Sequence, residues 1–212
     1  FHAENIRIGN GEIYFDFVGP DIRIADIQLG VPVKVNIENG VAAIALAWLN
    51  GVTPEEIRKG MASFAGPKRR FDFHLKKDAI VLIDDYAHHP AELAASIQSV
   101  KELYAGRKVT GIFQPHLYTR TRDFAPDFAA SLSLLDELIL LDIYPAREQP
   151  IPGVTSGLIA ERLTVPFVWV TKEEFPEYVK ENVKEGIFMT VGAGDIDRFI
   201  PIFTEMFGGT DC

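Results

Sequence analysis

The chain has little of several features that would narrow its class at once. Cys212 is the only cysteine among 212 residues, so no disulfide framework or cysteine-based zinc site can form within one copy. No run of about 18 apolar residues occurs and no signal peptide is visible, so we expect no membrane span. Together these absences suit a reducing compartment, and we expect the cytoplasm.

An excess of positive charge is also absent. The chain has 21 Lys and Arg against 30 Asp and Glu, and the net charge of -9 argues against a nucleic-acid-coating protein. The 47% hydrophobic and 24% charged content is ordinary for a globular chain and allows one large or two small domains. The first residues, FHAE, contain no initiator Met, and we expect a fragment of a longer protein.

The beginning of the chain has the pattern of short strands. Residues 5–8 and 12–18 flank Gly9-Asn10-Gly11, which predicts a β-hairpin. Residues 21–29 alternate less cleanly and predict a third strand.

Two helices are predicted next. An apolar, Ala-rich segment over residues 40–49 follows Asn36 and predicts the first helix. Residues 53–56 (TPEE) are typical of a helix start, because Thr caps, Pro suits the first turn and acids lie near the positive end of the helix dipole. This second helix is predicted to run to about Phe64.

A different pattern begins after residues 66–71 (GPKRRF), where we place a boundary between domains over residues 1–70 and 71–212. Beyond it, apolar β-branched runs alternate with helical segments. This order predicts an α/β fold with an open, mostly parallel, Rossmann-like sheet and helices on both faces. The predicted strands are 80–83, 109–113, 138–141, 167–170 and 187–191. The predicted helices lie near 91–104, 123–134, 155–163, 174–184 and 195–206.

Chemically versatile side chains gather directly after these strands. Residues 84–90 (DDYAHHP) place two acids, a tyrosine and two histidines in one strand-to-helix turn, whereas a plain turn would use Gly, Asn and Ser. Because the carboxyl ends of parallel strands share one edge of a sheet, we expect four such loops to converge. The residues concerned are Asp84, Asp85, Tyr86, His88 and His89; Gln114, His116, Tyr118, Thr119, Arg120 and Arg122; Tyr144, Arg147 and Glu148; and 192–195 (GAGD).

Each motif also has a purely structural interpretation. Asp84 and Asp85 could simply end a strand, and Asp195 could cap the last helix. Residues 192–194 lack the third glycine of a dinucleotide fingerprint and follow the last strand, which makes them weak as a nicotinamide site. Residues 68–70 (KRR) could be solvated charge, although their place at a domain joint also suits phosphate binding.

The histidines raise the question of a metal. His88, His89 and His116 could bind a metal ion together with an aspartate, as in a metal-dependent hydrolase. Adjacent histidines point in different directions, however, so we expect no metal site in this chain.

Five motifs occur in a specific order, and together they resemble the Mur ligases over nearly the whole chain. Members of that family have an N-terminal UDP-sugar domain, a central ATPase domain and a C-terminal amino-acid-binding domain. The resemblance implies that residues 1–70, a β-hairpin and two helices, end the central domain and that 71–212 form the C-terminal domain. The motifs are 66–71 (GPKRRF), 84–92 (DDYAHHPAE), 113–121 (FQPHLYTRT), 144–153 (YPAREQPIPG) and 192–196 (GAGDI).

The resemblance also implies an activity. The motifs are most similar to the members that use ATP and Mg²⁺ to join L-alanine to the carboxylate of UDP-N-acetylmuramate, through an acyl phosphate, in peptidoglycan precursor synthesis. The chain has no GxxxxGK[ST] phosphate loop, so we expect the main metal ligands in missing domains and no activity from this fragment alone. The expected partners are both substrates and those domains, with no nucleic acid and no membrane.

The resemblance assigns contacts with ATP to Asn36, Asn39, Arg70, Asp84 and Asp85. Asn36 is implied to meet the adenine and Arg70 the phosphates, where a forked set of donors is well suited. One of the two aspartates should meet the ribose, and we favour Asp85.

The resemblance assigns contacts with L-alanine or the muramoyl group to Tyr86, His88, His116 and Arg120. The guanidinium of Arg120 would bind the carboxylate of the amino acid. No catalytic residue and no metal ligand is assigned within this chain.

The chain departs from the family pattern at two of these places. Val35 stands where the family usually has His, next to the adenine contact. Leu117 stands where the family often has a second arginine, so the carboxylate keeps one arginine unless Arg122 or Arg147 substitutes.

Two alternatives stay open. A ligase of the same family that recycles a tripeptide onto UDP-N-acetylmuramate should share residues 84–90 but lack the pattern at 114–121. A non-catalytic nucleotide-binding module is the second alternative, which the missing phosphate loop favours for this chain as it stands.

Overall fold

The computed structural model describes residues 1–208, in two compact units. The first unit consists of Phe1–Pro67 with Ser99–Ala105, and the second of Lys68–Gln98 with the chain from Gly106 onward. Cys212, the one cysteine, lies outside the described residues.

The first unit contains a three-stranded antiparallel sheet in the order β1-β2-β3, followed by two helices. The predicted hairpin and third strand are confirmed. Phe15 and Phe17 of β2 are fully buried, as are Ile24 and Ile27 of β3, so these side chains form the core beneath the sheet. The bounds are β1 His2–Gly9, β2 Glu12–Gly19, β3 Ile22–Gln28, α1 Val35–Leu49 and α2 Pro54–Ser63.

The second helix begins where its local sequence predicts. The Thr53 hydroxyl accepts a hydrogen bond from the Glu56 backbone N–H at 3.4 Å, and the Glu56 carboxylate accepts one from the Thr53 N–H at 3.0 Å. This reciprocal capping satisfies two backbone donors that the helix itself cannot use. The first helix, in contrast, begins at Val35 and includes Asn36 and Asn39 in its first turns, five residues before the apolar segment.

The second unit is built on a six-stranded sheet in the order β4-β5-β9-β6-β7-β8. Five strands are parallel, as predicted, and β4 adds an antiparallel edge strand that the prediction missed. Residues 72–76 (DFHLK) are half-exposed and lack an apolar run, so their local sequence does not predict a strand. They are recognised as a strand only by their pairing with β5. The bounds are β4 Asp72–Lys76, β5 Ile80–Asp85, β6 Val109–Phe113, β7 Glu137–Leu140, β8 Phe167–Trp169 and β9 Gly186–Val191.

Helices connect the parallel strands and flank the sheet. The predicted α/β architecture is confirmed, and two helices differ from their predicted bounds. The helix after β6 begins at Tyr118, not near 123, and the helix before β8 has only four residues. The bounds are α3 Pro90–Leu103, α4 Tyr118–Leu132, α5 Gly157–Ala160, α6 Phe175–Asn182, a 3-10 turn at Ile196–Phe199 and α7 Ile200–Gly208.

The core of this unit lies on both faces of the parallel strands, because successive side chains of a strand point to opposite sides. On one face Leu82 and Phe188 pack with Phe175 of α6 and Phe203 of α7 in one buried cluster. On the other face the ring of Phe113 contacts that of Phe128 in α4, with 5.3 Å between centroids. Burial on both faces explains why the strands read as continuous apolar runs.

No helix within residues 1–208 is long and apolar enough to cross a membrane.

Candidate functional site

Four polar loops follow four neighbouring strands. The strands β5, β9, β6 and β7 are adjacent and parallel, and their carboxyl ends therefore lie at the same edge of the sheet. The sequence prediction that these loops share one edge is confirmed. In open α/β sheets this edge is where ligands bind.

Asp84 ends β5 as a buried carboxylate with both oxygens bonded. One oxygen accepts from the Thr190 hydroxyl at 2.6 Å, and the other accepts from Nε of Arg69 at 3.0 Å. Burial raises the pKa of Asp84 above its ordinary range, while the Thr190 hydroxyl and the Arg69 guanidinium act against that rise. With 1% of the residue exposed, Asp84 joins β5 to β9 within the sheet.

Asp85 lies one residue further along and is half-buried. Its carboxylate accepts hydrogen bonds from the Ser96 hydroxyl at 2.5 Å and from the Ala87 backbone N–H at 3.3 Å. Burial raises the pKa of Asp85, partly offset by these two donors. Each oxygen keeps a lone pair beyond these bonds, so the carboxylate can accept a further hydrogen bond.

The rest of this turn presents rings towards the neighbouring loop. Tyr86 is 42% exposed, and its ring contacts that of His88, with 5.2 Å between centroids. His88 in turn lies 6.5 Å from the ring of His116, while His89 contacts Phe124 instead. The two adjacent histidines therefore diverge, as the sequence predicts.

Glu92 holds the start of the helix that follows. Its carboxylate accepts hydrogen bonds from the backbone N–H groups of His88, at 3.0 Å, and His89, at 3.1 Å. Burial alone would raise the pKa of Glu92, but these donors and the two imidazoles lower it below its ordinary value. A charged carboxylate in the first turn of α3 fixes the backbone that carries His88.

The loop after β6 contains buried polar atoms without partners. Within residues 1–208, three buried side-chain atoms have no hydrogen-bond partner: Gln114 Oε1, His116 Nδ1 and Arg120 Nη1. All three belong to seven consecutive residues at the carboxyl end of one strand. Because native proteins rarely leave such groups unsatisfied, this cluster is the strongest structural indication of a ligand site.

The loop after β7 supports this cluster. The ring of Tyr144 stacks on that of His116, with 5.9 Å between centroids and an angle of 17°. Glu148 accepts from the backbone N–H of Thr119 at 3.0 Å and from its hydroxyl at 2.5 Å, which lowers the pKa of Glu148. This carboxylate satisfies the first turn of α4 from a distant loop, which is why the helix begins five residues earlier than its own sequence predicts.

His116 lies within a positively charged environment. Burial lowers the pKa of His116, and the charge of Arg120 lowers it further. Both effects favour the neutral form of the imidazole. The lasting positive charge beside it belongs to Arg120, half-buried in the first turn of α4.

Residues 192–195 close the same edge as a packing turn. Gly192 has φ +132°, and a Cβ at Gly194 would lie 2.1 Å from Oε1 of Gln114. Asp195 accepts from Nε2 of Gln114 at 3.2 Å and pairs with Lys172. Burial alone would raise the pKa of Asp195, but Lys172 and Gln114 lower it below its ordinary value. The two glycines are thus explained by close approach to Gln114.

A family model described as "Mur ligase, glutamate ligase domain" matches residues 69–194, which is more than half of the chain. The chain belongs to the Mur ligase family. The matched range runs from Arg69 to Gly194, so it includes three of the four polar loops and the fourth as far as Gly194.

Individual relatives agree with this family. The chain is 72% identical over 206 residues to a UDP-N-acetylmuramate–L-alanine ligase of Parabacteroides distasonis, covering 97% of the chain and 45% of that protein. It is 61% identical over 203 residues to the same-named protein of Phocaeicola vulgatus, covering 95% and 44%. The structure of a UDP-N-acetylmuramate–alanine ligase from Thermotoga maritima superposes with TM-score 0.78 at 28% identity, covering 97% of the chain and 45% of that structure. The chain spans less than half the length of the relatives it matches.

The residues that the resemblance to Mur ligases assigns to ATP differ in their hydrogen bonding. In the first unit, the amide nitrogen of Asn36 donates to the Val31 carbonyl at 3.1 Å, and Asn36 Oδ1 accepts from Asn39 at 3.2 Å. In the second unit, Arg70 is exposed and makes no hydrogen bond or ion pair with any described residue.

Sequence reasoning missed three residues that organise this Mur ligase domain: Arg69, Thr190 and Lys172. In the sequence, Arg69 is one of three consecutive basic residues, and Thr190 is part of an apolar strand. No local signal distinguishes Arg69 from Arg70, since the partners of Arg69 lie far along the chain. Within residues 1–208, no group of three or more His, Cys, Asp or Glu could hold a metal ion.

Proposed function

We propose that the full protein containing this chain joins L-alanine to the carboxylate of UDP-N-acetylmuramate at the expense of ATP. Residues 71–212 would be its C-terminal, amino-acid-binding domain, and residues 1–70 the end of its central ATP-binding domain. The observation that carries the proposal is the cluster of unpartnered buried atoms after β6, beside an exposed tyrosine. The names of the relatives support the same reaction. We propose a cytoplasmic enzyme in peptidoglycan precursor synthesis.

The amino-acid site would be formed by Arg120, His116, His88 and Tyr86. An unpartnered guanidinium nitrogen suits the carboxylate of L-alanine, because a charge-assisted hydrogen bond is stronger than a neutral one. A neutral His116 adds no second charge that would repel the ammonium group of the amino acid. The rings of Tyr86 and His88 would then limit the space beside the small methyl side chain.

The nucleotide contacts we propose are Asn36, Asn39, Arg70 and one of the two aspartates. Arg70 fits a phosphate because its guanidinium is exposed and unpartnered among residues 1–208. Asp85 fits a ribose hydroxyl better than Asp84 does, since Asp84 is buried within the sheet with 1% of the residue exposed, whereas Asp85 is only half-buried at its edge. When bound, ATP with Mg²⁺ would supply the phosphoryl group that activates the muramoyl carboxylate, and the main Mg²⁺ ligands would come from the missing part of the protein.

A second arginine for the carboxylate would be Arg147 and not Arg122. Arg122 is half-exposed, and its Nε donates to Asp123 at 2.7 Å. Arg147 is exposed, and its charge acts on His116. The loop that carries Arg147 is held next to α4 by the bonds of Glu148 to Thr119. Arg147 would thereby compensate for Leu117.

Two alternatives differ from this proposal: one ligase would use another substrate, and a binding module would catalyse no reaction. A tripeptide-recycling ligase would need room for a peptide, and its expected sequence lacks the pattern at 114–121 that this chain has. A non-catalytic module would bind nucleotide without turning over.

The test uses the full-length protein and, separately, this 212-residue chain. With ATP and Mg²⁺, the full-length protein should convert UDP-N-acetylmuramate and L-alanine into UDP-N-acetylmuramoyl-L-alanine, ADP and phosphate. Mass spectrometry detects the ligated product, and a phosphate-release assay gives the rate. Faster reaction with the tripeptide would favour the recycling ligase, and nucleotide binding without product would favour the module. The chain alone should form no product, because it lacks the phosphate loop, and product from it would contradict that part of the proposal.

A further inference from the structure

Arg69 has more fixed contacts than any residue assigned to a ligand. Its Nε donates to Asp84 at 3.0 Å, its Nη2 to the Gly192 carbonyl at 2.7 Å and its Nη1 to the Gly194 carbonyl at 3.2 Å. Nη1 also lies 3.4 Å from a carboxylate oxygen of Asp197. The side chain is 19% exposed, so this guanidinium is an internal connector.

The main chain and the face of the same residue hold Tyr86. The Arg69 carbonyl accepts from the Tyr86 backbone N–H at 2.7 Å. The guanidinium carbon lies 5.0 Å from the centroid of the Tyr86 ring, within the range of a cation–π contact. One residue therefore fixes both the backbone and the ring of Tyr86.

These contacts extend on both sides into the proposed amino-acid site. From Tyr86 the ring contacts continue through His88 to His116. From the glycine carbonyls the turn continues to Asp195, which holds Gln114. Arg69 itself has a left-handed backbone conformation, φ +59°, which costs free energy for a residue with a Cβ. Such a conformation persists only when the surroundings hold it, and here the hydrogen bonds of the Arg69 side chain do so.

We infer that Arg69 is a positioning residue, which sets the place of Tyr86 and of the 192–195 turn and thereby the binding of the amino acid. The inference rests on the proposed function, since it concerns the same amino-acid site. It assigns opposite tasks to adjacent arginines: Arg69 binds its own chain, and Arg70 is left for a ligand. A lysine cannot replace Arg69, because an ammonium group lacks the planar fork that reaches Asp84 and two carbonyls at once.

The test is Arg69→Lys in the full-length protein, with KM for L-alanine, KM for ATP, kcat and the thermal midpoint measured together. We expect KM for L-alanine to rise about 10-fold while KM for ATP changes by less than about 2-fold. Arg69→Gln, which also removes the charge, should raise KM for L-alanine at least as much.

The matched control is Thr190→Val. This change removes the other hydrogen bond to Asp84 and weakens the same buried network, but it leaves the contacts of Arg69 with Tyr86 and the glycines. It should lower the thermal midpoint and leave KM for L-alanine within about 2-fold of the unmodified protein. Suppose that Thr190→Val and Arg69→Lys lower the thermal midpoint by similar amounts and also raise KM for L-alanine equally. The role of Arg69 would then be only structural, and the positioning role would be wrong.

Arg120→Ala, measured in parallel, separates the inference from the proposed function. If Arg120→Ala weakens L-alanine binding and Arg69→Lys does not, the positioning role is wrong and the site stands. If neither change affects KM for L-alanine, the site itself is wrong, and the inference is overturned with it.

Discussion

Two polar clusters, one in each unit, have similar side chains and opposite hydrogen-bond status. In the first unit, buried Asp16 accepts from Asn5 at 2.9 Å, from Arg23 at 2.8 Å and from the Asp26 backbone at 3.0 Å. In the second unit, the cluster of Gln114, His116 and Arg120 has three buried atoms with no partner among the described residues. The difference is that the first cluster is complete within its own chain, whereas the second leaves polar atoms available to a ligand or water.

The largest expected effect follows from removing the unpartnered guanidinium. In the full-length protein, Arg120→Ala should raise KM for L-alanine about 100-fold, because the carboxylate loses a charge-assisted partner in a partly buried site. KM for ATP should change little. Steady-state kinetics with each substrate varied in turn measures both values, and equal effects on the two would contradict the carboxylate role.

Two neighbouring arginines sharpen this result. Arg122→Ala should leave KM for L-alanine unchanged, since Arg122 pairs with Asp123. Arg147→Ala should raise it by a smaller factor than Arg120→Ala, because Arg147 is exposed and solvent screens its charge. The reverse order of these two controls would assign the second arginine to Arg122.

A smaller effect is expected from breaking the completed cluster. Hydrogen bonds from the Asp26 backbone, Asn5 and Arg23 lower the pKa of Asp16 to about 2. Asp16→Asn in this chain should therefore lower the thermal midpoint by several degrees at pH 7, with little effect on KM for L-alanine in the full-length protein.

The pH dependence of that loss has a defined sign. A carboxyl whose folded pKa lies below its unfolded value stabilises the fold above the unfolded value, near 3.8, and loses that contribution as the pH falls to about 2. The difference in thermal midpoint between Asp16→Asn and the unmodified chain should therefore close over this range. A difference that stays constant down to pH 2 would show that charge is not the cause.

The smallest expected effect is on the titration of His116. Burial is the larger cause of its lowered pKa and the charge of Arg120 the second. In this chain, NMR titration should give His116 a midpoint below 6.5, and Arg120→Ala should raise that midpoint without restoring it fully. Arg122→Ala is the control and should leave the titration midpoint of His116 unchanged. A midpoint unaffected by Arg120→Ala would show that the two side chains are not neighbours.

Much of the fold could be predicted from local patterns. The parallel strands are continuous apolar runs because both of their faces are buried, and the start of α2 is encoded within Thr53 and Glu56. Two elements could not be predicted locally. The strand β4 exists through its pairing with β5, and the start of α4 depends on Glu148, 29 residues away from Thr119.

By itself, the sequence determined the family, the α/β class and the loops in which the chemistry should lie, because these depend on residue order and on patterns only a few residues long. Only the tertiary structure decided which member of each adjacent pair is bonded to distant parts of the chain. Asp84 and Asp85 look alike in sequence, but one is bonded to Thr190 across the sheet and the other is half-buried at its edge. Arg69 and Arg70 look alike too, but the partners of Arg69 at Gly192 and Gly194 are more than 120 residues distant. Contacts over such separations arise from the order of strands in the sheet, and no local pattern encodes that order.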